Sequence, residues 1–218
     1  MKNKFNNKRF FFFFFLFTTL ATAQYTSYDW NSRDKWMKID DFFDLVQIEK
    51  GLKVADIGCH EGYLTLHLAK RVGANGAVYA VDVNKYRLEK LKKHTIKEKL
   101  KNITTVLGDY DNPKLPQNAL DIVFVIDSYH EMTSYEKMLK HFYSSLLPNG
   151  KLVLLEKIKK HKIGKSRREQ TDAHTLSLAY VKKELVEAGF SVEYEVPNFG
   201  YWERDKTKQM WILIAKKP

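Results

Sequence analysis

Asp56, Gly58 and Gly62 stand where the apolar run VADI breaks into the helix-like stretch YLTLHLA, and their types are those of a cofactor loop. Dinucleotide sites use G-x-G-x-x-G, because close-set glycines let a pyrophosphate approach a helix N-terminus. Here the spacing is G-x-x-x-G, His60 fills the middle position, and a carboxylate sits two residues before the first glycine. That carboxylate would repel a diphosphate and welcome an ammonium group. The loop therefore predicts a cofactor with a cationic group nearby. His60 is expected to keep ordinary backbone angles, with its ring turned outward, lining the cofactor side of the cleft or neutralising Glu61. Other reactive patterns are missing. Gly164-Lys165-Ser166 lacks the earlier glycine of a phosphate loop, and His130-Glu131 is not followed by a second histidine at helical spacing. There is no Cys-x-x-Cys and no Gly-x-Ser-x-Gly, and no metal-ligand spacing is legible.

The elements that must hold this loop alternate regularly. Trp36, Ile39, Phe42, Phe43 and Val46 recur at three- and four-residue steps, predicting one amphipathic helix from about residue 34 to 49. LKVADI then reads as a buried strand, YLTLHLAKRV as a helix and AVYAVDV as a second strand. Asn84 caps a long helix with the stripe Leu88, Leu91, Ile96 and Leu100. NITTVLGD, LDIVFVIDS and KLVLLEKI are further strands, with a helix from Tyr135 to Leu147 before the last of them. After a basic segment come the helix SLAYVKKELVEAG, the strand FSVEYEV, a loop of about ten residues and the strand MWILIAKK. With no helix between them, the last two strands are expected to pair antiparallel. The fold class is α/β: a doubly wound, Rossmann-like sheet of seven strands, mostly parallel, with a C-terminal antiparallel hairpin.

In this order the pieces resemble the class I S-adenosylmethionine-dependent methyltransferases along nearly the whole chain after residue 24. VADIGCHEGY is similar to the family's first motif, which implies that Asp56, Gly58, His60 and Gly62 face the methionine part of the cofactor. VYAVDVN resembles the second, which implies that Asp82 takes the two ribose hydroxyls, as a carboxylate can, with Val83 beside it. LGDYDN resembles the third, so Asp109 is expected at the adenine amino group and Tyr110 near the ring. LDIVFVIDSYHEM and LLPNGKLVLLE look like the next two. The implied cofactor is S-adenosyl-L-methionine. A nicotinamide-linked oxidoreductase shares the fold, but Asp56 and the glycine spacing oppose it.

Methyl transfer from a sulfonium is an in-line displacement, so the enzyme mainly positions and sometimes removes a proton. Asp127, Tyr129, His130 and Glu131 end the fourth strand. His130 is a candidate general base, its alternative being a structural bond to a neighbouring element. Asp127 is a candidate for orienting the cofactor or an acceptor amine. The stretch lacks the paired prolines of amide- and base-nitrogen methyltransferases, which disfavours a nucleic-acid substrate and leaves a small-molecule or lipid-like acceptor. Tyr25, Tyr28, Trp30 and Trp36 are expected either to cover the cofactor as a lid or to anchor the terminus.

The chain has 218 residues, 44% of them hydrophobic, enough for one core. MKNKFNNKR, an eleven-residue apolar stretch and Ala21-Thr22-Ala23 read as a signal peptide cleaved after Ala23, because a spanning helix needs about 20 apolar residues. The expected organisation is a leader over 1–23, an aromatic lead-in and helix over 24–50, and the cofactor-binding domain over 51–218. Export to the periplasm or envelope is the expectation, cytoplasmic residence the alternative. Export also raises the rival of a non-catalytic binding protein on the same scaffold. The formal charge is +11, of which +7 lies outside the leader. Seven basic residues between 157 and 168 suggest an anionic or membrane-surface partner, or simply a solvated loop. Oligomeric state is not legible.

Overall fold

A computed structural model describes residues 29–218. The signal-peptide reading of residues 1–23, and Tyr25 and Tyr28, lie outside the described residues.

Seven strands form one sheet: β1 (Lys53–Ile57), β2 (Ala77–Asp82), β3 (Ile103–Leu107), β4 (Leu120–Ile126), β5 (Leu146–Lys159), β6 (Ser191–Tyr201) and β7 (Lys208–Lys216). Their order is β3-β2-β1-β4-β5-β7-β6. The first five are parallel, whereas β7 runs antiparallel between β5 and β6. The strand order reverses between β1 and β4, where an open parallel sheet places its ligand.

Among the described residues seven α-helices accompany them: α1 (Trp30–Met37), α2 (Ile39–Val46), α3 (Tyr63–Val72), α4 (Lys85–Lys97), α5 (Tyr135–Ser145), α6 (Arg167–Thr171) and α7 (Leu178–Glu187). The two-residue period of the strands sorts the core by face. Ile122, Phe124, Val153 and Leu155 pack with Phe42, Phe43, Leu64 and Leu68 on one side. Val123, Val125, Leu152 and Leu154 pack with Leu139, Phe142, Val181 and Leu185 on the other. Because both faces are covered, the strands are apolar almost throughout.

Four local expectations are corrected. The single N-terminal helix is two, broken at Lys38, whose φ of 49° is left-handed. The break lets Trp36 meet Trp202 at 4.6 Å while Phe42 meets Phe124 at 6.1 Å. On α4, Leu88 and Leu91 are buried but Ile96 is 77% exposed. At 100° per residue Ile96 lies about 140° round from Leu91, so one stripe cannot hold both. The helix before β5 ends at Ser145, and the strand begins at once with Leu146. Finally, β6 continues through Pro197 to Tyr201 with an irregular register between Val196 and Gly200. As the edge strand it tolerates a proline that an inner strand would not.

Gly62 opens α3 at φ +97°, and a Cβ there would lie 2.2 Å from Leu91 Cδ1. Its small size is thus required by α4 packing as much as by any ligand. Gly62→Ala is expected to lower stability by about 1–3 kcal/mol or more, from overpacking and backbone strain together. Chemical denaturation checks this, and the cost should shrink in a Leu91→Ala background.

Candidate active site

The loop after β1 is built around two carboxylates. Asp56, buried at the end of β1, accepts a hydrogen bond from Thr65 Oγ1 at 2.6 Å, the first turn of α3 thus tying itself to the strand. Burial pushes its pKa up to about 6, against the pull of the Thr65 hydroxyl and the Arg33 charge. Asp82 ends β2. Its Oδ2 accepts the His60 backbone N–H at 2.9 Å and its Oδ1 accepts that of Asn84 at 2.8 Å. Each oxygen keeps a lone pair, and the carboxylate is fixed in orientation. The Asn84 side chain then caps α4 through Tyr86 N and Arg87 N.

His60 does not have ordinary backbone angles. Its φ is +53°, a left-handed conformation that histidine tolerates better than most residues. Glu61 is neutralised not by His60 but by Lys90, 2.6 Å away. The His60 ring lines a small cavity with Trp30, Arg33, Asp56, Gly58 and Tyr63. Burial and then the Arg87 charge lower its pKa, which favours the neutral ring. Gly58, at φ +74°, backs onto Ser128, whose Cβ would lie 2.8 Å from an added methyl. Cys59 is buried, and burial raises its thiol pKa well above normal, so it is no nucleophile.

Trp30 and Arg33 of α1 form the roof. The Arg33 guanidinium lies 4.2 Å from the Tyr63 ring centre, and Trp30 meets Tyr63 edge-on at 6.1 Å. The space beneath the roof is about 30 Å³ and partly open to solvent. A methionine-sized group is larger than this space, so its binding is expected to shift the roof. Trp36 takes the anchoring role instead, stacked edge-on against the buried Trp202.

Farther along the edge, Val83 and Tyr110 are 42% and 76% exposed. They offer apolar surface at the ends of β2 and β3. Asp109 sits at the same end and pairs with Lys114 at 3.0 Å.

Beyond β4 the chemistry changes. His130 is buried, with Nδ1 2.9 Å from Glu156 Oε2 and Nε2 3.2 Å from Glu131 Oε1. Burial alone would lower its pKa, but the Glu156 charge and the hydrogen bonds to Glu131 and Glu156 outweigh this and lift it to about 10. Both ring nitrogens are engaged by carboxylates, a geometry that favours the structural alternative over the general base. Asp127, at φ +51°, is paired with Lys157 through Oδ1. Sequence reasoning missed Glu156 and Lys157, which looked like one more strand acid and one more basic residue. Their adjacency near the end of an apolar strand was the available signal.

The basic segment is not one solvated loop. Lys157 and Lys159 belong to β5, and Arg167 pairs with Glu184 at 2.6 Å while lying over Tyr135. Lys160, His161, Lys165 and Arg168 are exposed.

Residues 54–150 match a family model described as a methyltransferase domain. An S-adenosylmethionine-dependent methyltransferase from Aquifex aeolicus superposes with a TM-score of 0.72 over 86% of this chain and 93% of its own, at 22% identity. Residues 54–150 are thus similar to the methyltransferase-domain family, and the fold is that of the S-adenosylmethionine-dependent methyltransferases. S-adenosylmethionine is the cofactor of that family. Phosphoethanolamine N-methyltransferase 2 of Haemonchus contortus, solved with S-adenosyl-L-methionine, is similar over 90% of this chain and 58% of its own, with TM-score 0.68 and 17% identity. Demethylmenaquinone methyltransferase of Geobacillus sp. (strain WCH70) is 30% identical over 122 residues, 56% of this chain and 51% of its own. The chain spans about half the length of the curated relatives it matches.

The donor set fits the cofactor. Asp56 has acceptor capacity left for an ammonium, Asp82 has one lone pair per oxygen for a diol, and Val83 and Tyr110 offer a ledge for a purine. Asp56 meets Thr65, Arg33, Asp82 and Cys59, and protonation of its carboxyl competes with an ammonium ligand. S-adenosylmethionine affinity should thus fall about tenfold per unit as pH drops below about 6. Titration calorimetry from pH 5 to 8 checks this, and Asp56→Asn should bind weakly with a flat profile.

Proposed function

We propose that the protein is an S-adenosylmethionine-dependent methyltransferase acting on a small, quinone-like aromatic acceptor. The observation that carries the reading is the pair of oriented, buried carboxylates, Asp56 and Asp82, ending two neighbouring strands. A scaffold without a cofactor has no use for both, since each costs desolvation. The aromatic faces of Trp30 and Tyr63 beside this pair suit a sulfonium, whose charge is attracted to π-clouds. The acceptor class is supported by the likeness to the demethylmenaquinone enzyme. Catalysis on this reading is positioning: the methyl carbon and the nucleophile are held in line while α1 excludes water.

The leader reading of residues 1–23 extends the proposal to an exported enzyme. Ile163, 61% exposed among Lys160, Lys165 and Arg168, would then rest on an anionic membrane surface. Co-sedimentation with anionic vesicles should recover the wild type and lose most of it for Ile163→Asp with Lys165→Glu.

Calorimetric titration of S-adenosylmethionine and S-adenosylhomocysteine tests the main proposal. Two hydrogen bonds to a charged group are lost in Asp82→Ala, so affinity should fall at least about 100-fold. A demethylated quinol supplied with the cofactor should then yield S-adenosylhomocysteine. Well-folded wild type that binds neither nucleoside would overturn the enzyme reading, and binding without turnover of any quinol would overturn the acceptor class.

A further inference from the structure

We propose that His130, Glu131 and His174 form a site for one divalent transition-metal ion of the zinc class. His130 Nε2 lies 3.2 Å from Glu131 Oε1, and His174 Nδ1 lies 2.5 Å from the same oxygen. The two rings are 6.0 Å apart at 81°, and the three donor atoms all fall within 4.8 Å of one another. Two imidazole nitrogens with one carboxylate oxygen suit zinc and its neighbours, whereas calcium and magnesium prefer oxygen alone. Tetrahedral bonds of about 2.0–2.1 Å set ligand atoms roughly 3.3 Å apart, inside the observed spread. The side chains of Glu131 and His174, 58% and 70% exposed, have room to make the small adjustment.

His130 separates this group from a chance surface trio. Its ring is buried and held from behind by the fully buried Glu156, whose carboxylate also accepts the backbone N–H groups of Tyr129 and His130. Nδ1 is thereby committed, which leaves Nε2 as the ligating nitrogen. A carboxylate behind a ligating histidine is the support that metal sites use to fix a ring and raise its basicity. The ion would take the place of the proton that Glu131 otherwise faces.

Both ligand-bearing segments are tied to β5. Glu156 belongs to that strand and holds His130. The residue after His174, Thr175, donates its hydroxyl to Lys157 O at 2.6 Å and accepts the Lys159 N–H at 2.9 Å. The two histidine segments are far apart in sequence, Glu131 and His174 being separated by 43 residues, which is why no ligand spacing is legible in the chain. Asp127, His130 and Glu156 also cluster, but Lys157 already occupies Asp127, so that group is an ion-pair network.

Three protein ligands leave coordination positions for solvent or substrate, the arrangement of catalytic rather than structural zinc. The turn that carries His130 abuts the cofactor loop, since Ser128 donates to Ile57 O at 3.0 Å and packs against Gly58. An acceptor hydroxyl bound to the ion would release its proton to solvent. The acceptor's electron pair would then form the bond to the methyl carbon, and the broken C–S pair would return to sulfur as S-adenosylhomocysteine. This use of the ion rests on the methyltransferase reading, whereas the metal site itself does not.

Chelator-treated, tag-free protein titrated with ZnCl₂ tests the site, with CoCl₂ as a spectroscopic probe. One ion per chain is expected, with visible cobalt ligand-field bands. His174→Ala, a change at an exposed side chain, should cost at least about tenfold in zinc affinity and lose the bands, with circular dichroism unchanged. Glu156→Gln should weaken zinc about 10- to 100-fold through His130. No stoichiometric zinc binding, or equal affinity in wild type and His174→Ala, would overturn the proposal. S-adenosylmethionine titrated into the same samples separates the two readings. Zinc bound without cofactor keeps the metal site and removes its catalytic use, whereas cofactor bound without zinc overturns the metal site and leaves the methyltransferase reading standing.

Discussion

The structure depends on keeping carboxylates ionised at one edge of a dry sheet. Asp56, Asp82, Asp127 and Glu156 each stand at or near the carboxyl end of a central strand, and each is largely removed from water. A charge left unpaired there costs several kcal/mol. The four are settled in two different ways, and the division runs along the sheet. On the β4 and β5 side the partners are protein cations, Lys157 for Asp127 and His130 for Glu156. On the β1 and β2 side the partners are mostly neutral donors, namely the Thr65 hydroxyl and the backbone N–H groups of His60 and Asn84. That side offers its carboxylates to a cationic group, with Arg33 a cation acting on Asp56.

The same division explains how the surrounding elements are shaped. His60 adopts a left-handed backbone because its N–H must reach Asp82, and Gly58 has no Cβ because Ser128 closes on it from β4. The first turn of α3 is fixed through Thr65 to Asp56. The roof made by α1 brings Arg33 near Asp56, balancing it while Trp30 excludes water. Removing one partner of the ionic half would leave a buried charge and cost about 3–5 kcal/mol, so these residues hold the turn that lies next to the cofactor loop.

Much of the fold was legible in the sequence because strand and helix periods alternate cleanly and both sheet faces are apolar. The apolar character of β4 and β5 and the antiparallel pairing of β6 with β7 follow from composition and from the missing helix between the last strands, whereas the insertion of β7 beside β5 is seen only in the fold. The break at Lys38 was not legible, since it depends on where Trp202 and Phe124 lie in the folded chain. For the site, Asp56 and Asp82 could be marked from their places at strand ends. The state of His130 could not, because it is set by Glu156, a residue that reads as an ordinary strand acid. Similarly, His174 meets Glu131 only through the path of the loop after β5.

The most direct test of the account is a crystal structure with S-adenosylhomocysteine bound. Its ribose hydroxyls should lie on the two Asp82 oxygens, its ammonium near Asp56 and its adenine against Val83 and Tyr110, with Trp30 and Arg33 displaced from their present positions. Ligand bound elsewhere, or bound with Asp56 and Asp82 making no contact to it, would contradict the claim that these carboxylates are the cofactor's partners.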